Sequence, residues 1–177
     1  DKHLGDLGDY KMLSATLHSK GMYLIQDVVV NHFGDFYTYD GPYDPEDVSK
    51  NFKLHDVEQP MQYPFNHNDA REEEDRELVI YHFAPNFTYH SDTIQKTQFQ
   101  CADLDDLNTS NTLVRDALRE NVGYWITEVG VDGFRFDTPH MVEHDFWHSF
   151  LHKKEGEHLG IDLLAKQQGK QHFLTAG

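Results

Sequence analysis

Apolar and polar positions along this chain follow two rhythms, separated by a long stretch that follows neither. Over residues 9–20, Tyr10, Leu13 and Leu17 recur at helical spacing and Gly21 follows as a stop, which predicts a helix. Residues 22–30, MYLIQDVVV, are almost continuously apolar and rich in β-branched side chains, which predicts a strand buried on both faces. Helical spacing returns at 109–127. Thr109, Ser110 and Asn111 offer cap chemistry there, and Leu113, Ala117, Leu118, Val122, Trp125 and Ile126 supply an apolar stripe. A glycine-bounded turn at 130–133 then leads into a short strand at 133–136. A second amphipathic helix at 142–151 follows, with Phe146 and Phe150 inward, and a last strand is predicted at 172–176.

Residues 33–108 break this order. They carry five of the six prolines, many aromatic and polar residues, and no sustained period apart from a short strand-like run at 80–83. The stretch is too long for a connecting loop and reads as a small inserted subdomain. The division is therefore a first segment at 1–31, an insertion at 32–108 and a second segment at 109–177. Outside the insertion, helices and strands alternate, the signature of an α/β fold whose parallel strands need crossover connections. A closed (β/α)8 barrel takes roughly 250 residues, so the roughly 100 outside the insertion supply less than half of one.

Charge and composition narrow the choice of partner. Lys and Arg total 15 against 31 Asp and Glu, a formal net charge of −16. Such a surface repels phosphate, which argues against nucleic acid and an anionic membrane as natural partners. The acidic run REEEDRE at 71–77 reads as a solvated face. Cys101 is the single cysteine, so an intrachain disulfide and a thiolate metal cluster are both excluded. No apolar run has the length of a membrane span. The chain opens on Asp1 rather than Met and carries no signal-peptide pattern, so it reads as a fragment or a processed chain. Asn86-Phe87-Thr88 fits an N-glycosylation pattern, a match that is common by chance.

Candidate chemistry is concentrated in GVDGFRFDTPH, residues 130–140. The predicted strand ends on Asp137, and Arg135, two residues earlier, shares its face because side chains alternate along a strand. A carboxylate at a strand's C-terminal end, held ionised and oriented by a guanidinium, has the makings of a nucleophile. The competing reading is a strand-end acid in an ordinary ion pair. DVVVNH, residues 27–32, has the same architecture and ends on His32.

DVVVNH at 27–32, DLDDLN at 103–108 and GFRFDTPH at 133–140 occur in the order and approximate spacing of the α-amylase superfamily of glycoside hydrolases, which the chain resembles over essentially its whole length. HLGDLGDYKML, near the start, also looks like that family's approach to its second helix. The resemblance implies part of a (β/α)8 barrel from the second helix to the fifth strand, with the inserted domain B after the third strand. It implies a retaining enzyme acting on α-1,4-linked glucans such as starch. Asp137 falls on the nucleophile position and Arg135 on its supporting arginine. His32 falls on the histidine that binds the sugar being cleaved. His140 stands where many members carry a lysine that contacts the leaving-side sugar, a departure that weakens that contact rather than the chemistry. Asp27 reads as a structural acid, and Thr138 resembles the α-1,4-acting members.

The resemblance further implies Ca²⁺ clamping domain B to the barrel. Its ligands would be the side chains of Asn31 and Asp106 and the main-chain carbonyl of Met141, hard oxygen donors of the kind calcium takes. The alternative is an Asn31–Asp106 hydrogen bond without metal. An extracellular or periplasmic setting accompanies the family and its calcium. The family's acid, a Glu at the end of the fifth strand, has no counterpart here, so these residues alone are expected to be inactive. Glycosyl transfer, or a non-catalytic carbohydrate-binding or interaction role, remain alternatives.

Two further patterns carry weaker signals. His140, His144, His148 and His152 recur every four residues, but with Phe146 and Phe150 inward the ladder reads as a solvated face rather than a zinc site. The aromatics of the insertion, among them Phe36, Tyr37, Tyr39, Tyr43, Tyr63 and Phe65, are expected to form mostly its small core, with sugar stacking open to individual rings.

Overall fold

The computed structural model describes residue 3, residues 5–89 and residues 91–177. Leu4, part of the HLGDLGDYKML stretch, lies outside the described residues. The chain divides into two compact units, one made of Asp1–Val28, Leu118–Asp137 and Trp147–Gly177, the other of Val29–Ala117 and Thr138–Phe146.

The first unit is built on a three-stranded parallel sheet. Strand β1 (Ile25–Val28) pairs with β4 (Gly133–Phe136), and β4 pairs with β5 (Leu174–Ala176), so β4 is central. Helix α1 (Leu7–Ser19) starts at a reciprocal capping box in which Asp6 accepts from the Asp9 amide and Asp9 accepts from the Asp6 amide, both at 3.0 Å. Helix α4 (Thr112–Tyr124) runs on into a π-helical turn, Trp125–Val129, which stops at Gly130 with φ 76°, a left-handed conformation that glycine adopts without steric cost. Helix α5 (His144–His152) and helix α6 (Ile161–Gln167) complete the alternation.

One face of β4 makes the core. Phe134 and Phe136 are buried, and their rings meet Phe173, Trp147 and Phe150 at centroid distances of 5.0–6.0 Å. Behind them, Arg119 of α4 is buried and its Nη2 donates to Ser149 Oγ at 2.5 Å and Glu155 Oε2 at 3.0 Å, which offsets part of the cost of burying the guanidinium.

The second unit contains an antiparallel hairpin, β2 (Tyr37–Tyr39) with β3 (Phe52–Leu54), and two short helices, α2 (Glu73–Leu78) and α3 (Thr93–Gln98). Tyr37, Phe52 and Phe83 are buried and stack around the hairpin, and Phe65 is buried against Phe33. The ring of Tyr63 is by contrast more than half exposed. No helix among the described residues is long and apolar enough to cross a membrane.

Four expectations change. The strand read over 22–30 is formed only at Ile25–Val28, and it is not buried on both faces: Ile25 is exposed, as are Met22, Tyr23 and Val29 around the strand, and among the described residues β1 pairs with β4 alone. Helix α1 packs through Tyr10, Ser14 and Leu17 rather than Leu13, which is exposed; Tyr10 meets Trp125 edge-on and donates to Gln26. Residues 80–83 form no strand, since Val79 and Phe83 both take positive φ and only an isolated Tyr81–Leu107 bridge remains. Helix α6 went unpredicted, because its N-cap is Gly160 with no side-chain cap bond.

Candidate active site

In the first unit, strand register and pleat build a charged cluster on the face of β4 opposite the aromatic core. Asp27 of β1 lies beside Arg135 of β4, and Asp137 follows two residues on. Arg135 Nη1 donates to Asp137 Oδ1 at 2.7 Å and to Asp27 Oδ2 at 2.9 Å. These two hydrogen bonds, Asp137 first and Asp27 next, raise the guanidinium pKa further and keep it charged. The Asp137 amide donates to Val28 O at 2.9 Å, extending the ladder one residue beyond the strand and fixing the backbone that carries the carboxylate. The carboxylate itself is about one-third exposed, so it is held by one partner and open to solvent elsewhere.

Backbone geometry sharpens this end of the strand. Thr138, the next residue, has φ 48°, a left-handed conformation that is costly for a β-branched residue and turns the chain out of the strand direction. At the other end of β4, a Cβ on Gly133 would come within 2.6 Å of Leu174 O and 2.9 Å of the Ile25 side chain, so only glycine allows the two neighbours to approach.

The second unit holds the other predicted positions. Asn31 and Asp106 are buried, and His32 bridges Asp106 through an isolated antiparallel pairing. The Leu107 amide donates to Asn31 O at 2.9 Å, and the Asn31 amide lies 3.3 Å from His32 Nδ1. Asp106 Oδ2 sits 2.6 Å from His82 Nδ1, a partner invisible in the sequence because it is 24 residues away and outside any motif. Asp106 Oδ1 is buried without a hydrogen-bond partner. Burial, with the charge of Glu143, outweighs the lowering effect of His82 and of a hydrogen bond from Asn31 and leaves the Asp106 carboxyl raised to about 7. Next to it in sequence, Asp105 is also buried; it accepts from the Phe36 amide and from Gln100, and burial raises it to about 8. Met141 is buried in a 3-10 turn, Pro139–Met141, from which His140 projects exposed.

An unpartnered buried carboxylate oxygen beside an acidic neighbour is the electrostatic setting a hard cation relieves, and the oxygen donors of Asn31, Asp106 and Met141 are of the right kind. The described residues nonetheless contain no group of three or more His, Cys, Asp or Glu side chains arranged to hold a metal. The predicted site residues thus fall into two sets, Arg135 and Asp137 in the first unit and Asn31, His32, Asp106, His140 and Met141 in the second. Sequence reading missed His82, and it missed that Asp27 shares Arg135 with Asp137.

A carboxylate at the C-terminal end of a parallel strand, clasped by an arginine on the same face, sits where α/β barrel enzymes place their catalytic groups. Comparison with known proteins makes the class specific. The family described as alpha amylase, catalytic domain, matches residues 1–172, and the chain belongs to that family. Among curated relatives, a cyclomaltodextrinase from Thermoanaerobacter pseudethanolicus is 29% identical over 154 residues, covering 85% of this chain and 22% of that protein. An intracellular maltogenic amylase from Bacillus subtilis is 29% identical over 166 residues, covering 94% of this chain and 24% of that protein. The chain therefore spans about a quarter of the length of these relatives. Among solved structures, an alpha-amylase from Geobacillus thermoleovorans complexed with acarbose superposes with a TM-score of 0.64 at 22% identity, over 99% of this chain and 29% of that one, a likeness of fold.

Proposed function

We propose that this chain is the nucleophile-bearing part of a retaining glycoside hydrolase that cleaves α-1,4-glucosidic bonds in starch-like glucans. It would run from the second helix to the fifth strand of a (β/α)8 barrel, with residues 32–108 as domain B. The observation that carries the reading is the Arg135–Asp137 pair at the end of β4. Asp137 attacks the anomeric carbon and forms a glycosyl ester while the leaving oxygen takes a proton from a second carboxylic acid; water then attacks the ester and returns the sugar with retained configuration. Arg135 orients Asp137 and keeps a positive charge beside it through both steps. His32 binds the sugar being cleaved, and His140 contacts the leaving-side sugar. None of the 177 residues is assigned the acid, so the chain alone carries out no turnover.

Calcium, held by the Asn31 and Asp106 side chains and the Met141 carbonyl, would neutralise the buried Asp106 carboxylate and brace the second unit. Removing it should lower the thermal midpoint of that unit; a chelator titration that leaves melting unchanged contradicts the calcium assignment. The catalytic assignment is tested in a chain completed to the length of its relatives, with maltooligosaccharides as substrate. Asp137→Asn should abolish hydrolysis with folding intact, and turnover surviving that change would overturn it.

A further inference from the structure

We infer that His148 and His152 form a surface binding site for a borderline divalent metal ion such as Zn²⁺, with Asp162 as the group that orients one ligand. The inference is independent of the glycosidase reading and uses none of the oxygen-rich residues around Asp106. Both histidines are exposed on α5, one helical turn apart, the spacing at which two side chains on one helix face meet. Their ring centroids are 6.1 Å apart. With Zn–N about 2.1 Å and a ring nitrogen about 1.1 Å from its centroid, two imidazoles on one tetrahedral ion have centroids about 5 Å apart. The two exposed rings stand about 1 Å wider than that, so a small rotation of their side chains brings both onto one ion.

The second observation comes from α6. His152 Nδ1 lies 2.7 Å from Asp162 Oδ2, in the first turn of that helix. A carboxylate accepting the Nδ1 proton fixes the neutral tautomer whose lone pair is on Nε2, the arrangement that metal-ligating histidines commonly use. Spacing along α5 alone could not reveal this, because Asp162 arrives from a separate helix ten residues further on. Imidazole nitrogen suits Zn²⁺, Ni²⁺ and Cu²⁺, with water filling the remaining positions. A bound ion would pin the last turn of α5 and, through Asp162, tie it to the start of α6 across residues 153–160.

The test is calorimetric titration of the full chain with ZnCl₂, paired with thermal melts. One Zn²⁺ per chain should bind and raise the melting temperature. His148→Ala and His152→Ala should each weaken this binding at least about tenfold, and Asp162→Asn should weaken it about 10–100-fold. All three positions are solvent-accessible, and melts in metal-free buffer establish that the variants fold. No binding to the wild-type chain at millimolar Zn²⁺, or binding unchanged in both histidine variants, would overturn the site. Unchanged affinity in Asp162→Asn would overturn the orienting role of that carboxylate.

Discussion

Strand β4 is flanked by two aspartates, Asp132 just before it and Asp137 just after, and their surroundings differ in kind. Asp132 is mostly buried and fully engaged. Its oxygens take Lys170 Nζ at 2.8 Å, the Leu24 amide at 2.9 Å and His18 Nε2 at 2.7 Å, so one carboxylate ties the end of α1, the approach to β1 and the approach to β5. Among the described residues Asp137 has a single side-chain partner, Arg135, which it shares with Asp27, and its side chain is about twice as exposed as that of Asp132. One acid holds neighbouring elements together; the other is held by one guanidinium and stays open to solvent. The contrast agrees with the general division of such sheets, in which the C-terminal ends of strands carry chemistry and the N-terminal ends carry stability.

The contrast can be broken by exchanging the effects. The largest expected effect is on activity. In a chain completed to the length of its relatives, Asp137→Asn should lower kcat by about ten-thousand-fold or more, with little change in melting temperature. Next is Asp132→Ala, which takes an acceptor from Lys170, the Leu24 amide and His18 at once and leaves Lys170 with the Gly130 carbonyl. It should cost roughly 2–3 kcal/mol in chemical denaturation while leaving the arrangement at Asp137 in place. Gly133→Ala, which forces a Cβ against the Leu174 carbonyl, should cost roughly 1–3 kcal/mol by the same measurement.

Acid should expose the same division. Burial alone would raise Asp132, but the hydrogen bonds from Lys170, the Leu24 amide and His18 outweigh it and hold its carboxyl below the usual range. A carboxyl lowered in the folded state adds stability above its unfolded pKa and loses it as pH falls through the folded one. The first unit should therefore weaken below about pH 4, and Asp132→Asn should flatten that limb of the stability profile. The smallest effect belongs to Asp27→Asn. It removes a half-exposed partner of Arg135 and should change stability by less than about 1 kcal/mol.

How much of this was legible in the sequence follows from how local each signal is. The strand at 133–136 and the shared face of Arg135 and Asp137 follow from period two, and the buried Phe146 and Phe150 follow from helical spacing. Relations carried by register were hidden: nothing local says that Asp27 falls beside Arg135, or that Asp132 receives Lys170. The run at 22–30 was read as doubly buried from its composition, but burial depends on what packs against a strand, and among the described residues β1 pairs with β4 alone and leaves Ile25 exposed. His82 was invisible because its partner Asp106 belongs to another segment, brought near by the pairing of Tyr81 with Leu107. Asp162 was hidden for the same reason: the histidine ladder is exposed, as its spacing implied, but the carboxylate that meets His152 comes from α6.

The central claim, that Asp137 is the attacking carboxylate, is tested most directly by trapping the glycosyl ester. A chain completed to the length of its relatives would be incubated with a fluorinated maltosyl fluoride that forms the intermediate faster than it hydrolyses, then digested and sequenced by mass spectrometry. The account predicts one added glycosyl mass on the peptide containing Asp137, localised to that residue and absent in Asp137→Asn. A label on any other carboxylate, or turnover of the natural substrate with no covalent label on the protein, would contradict it.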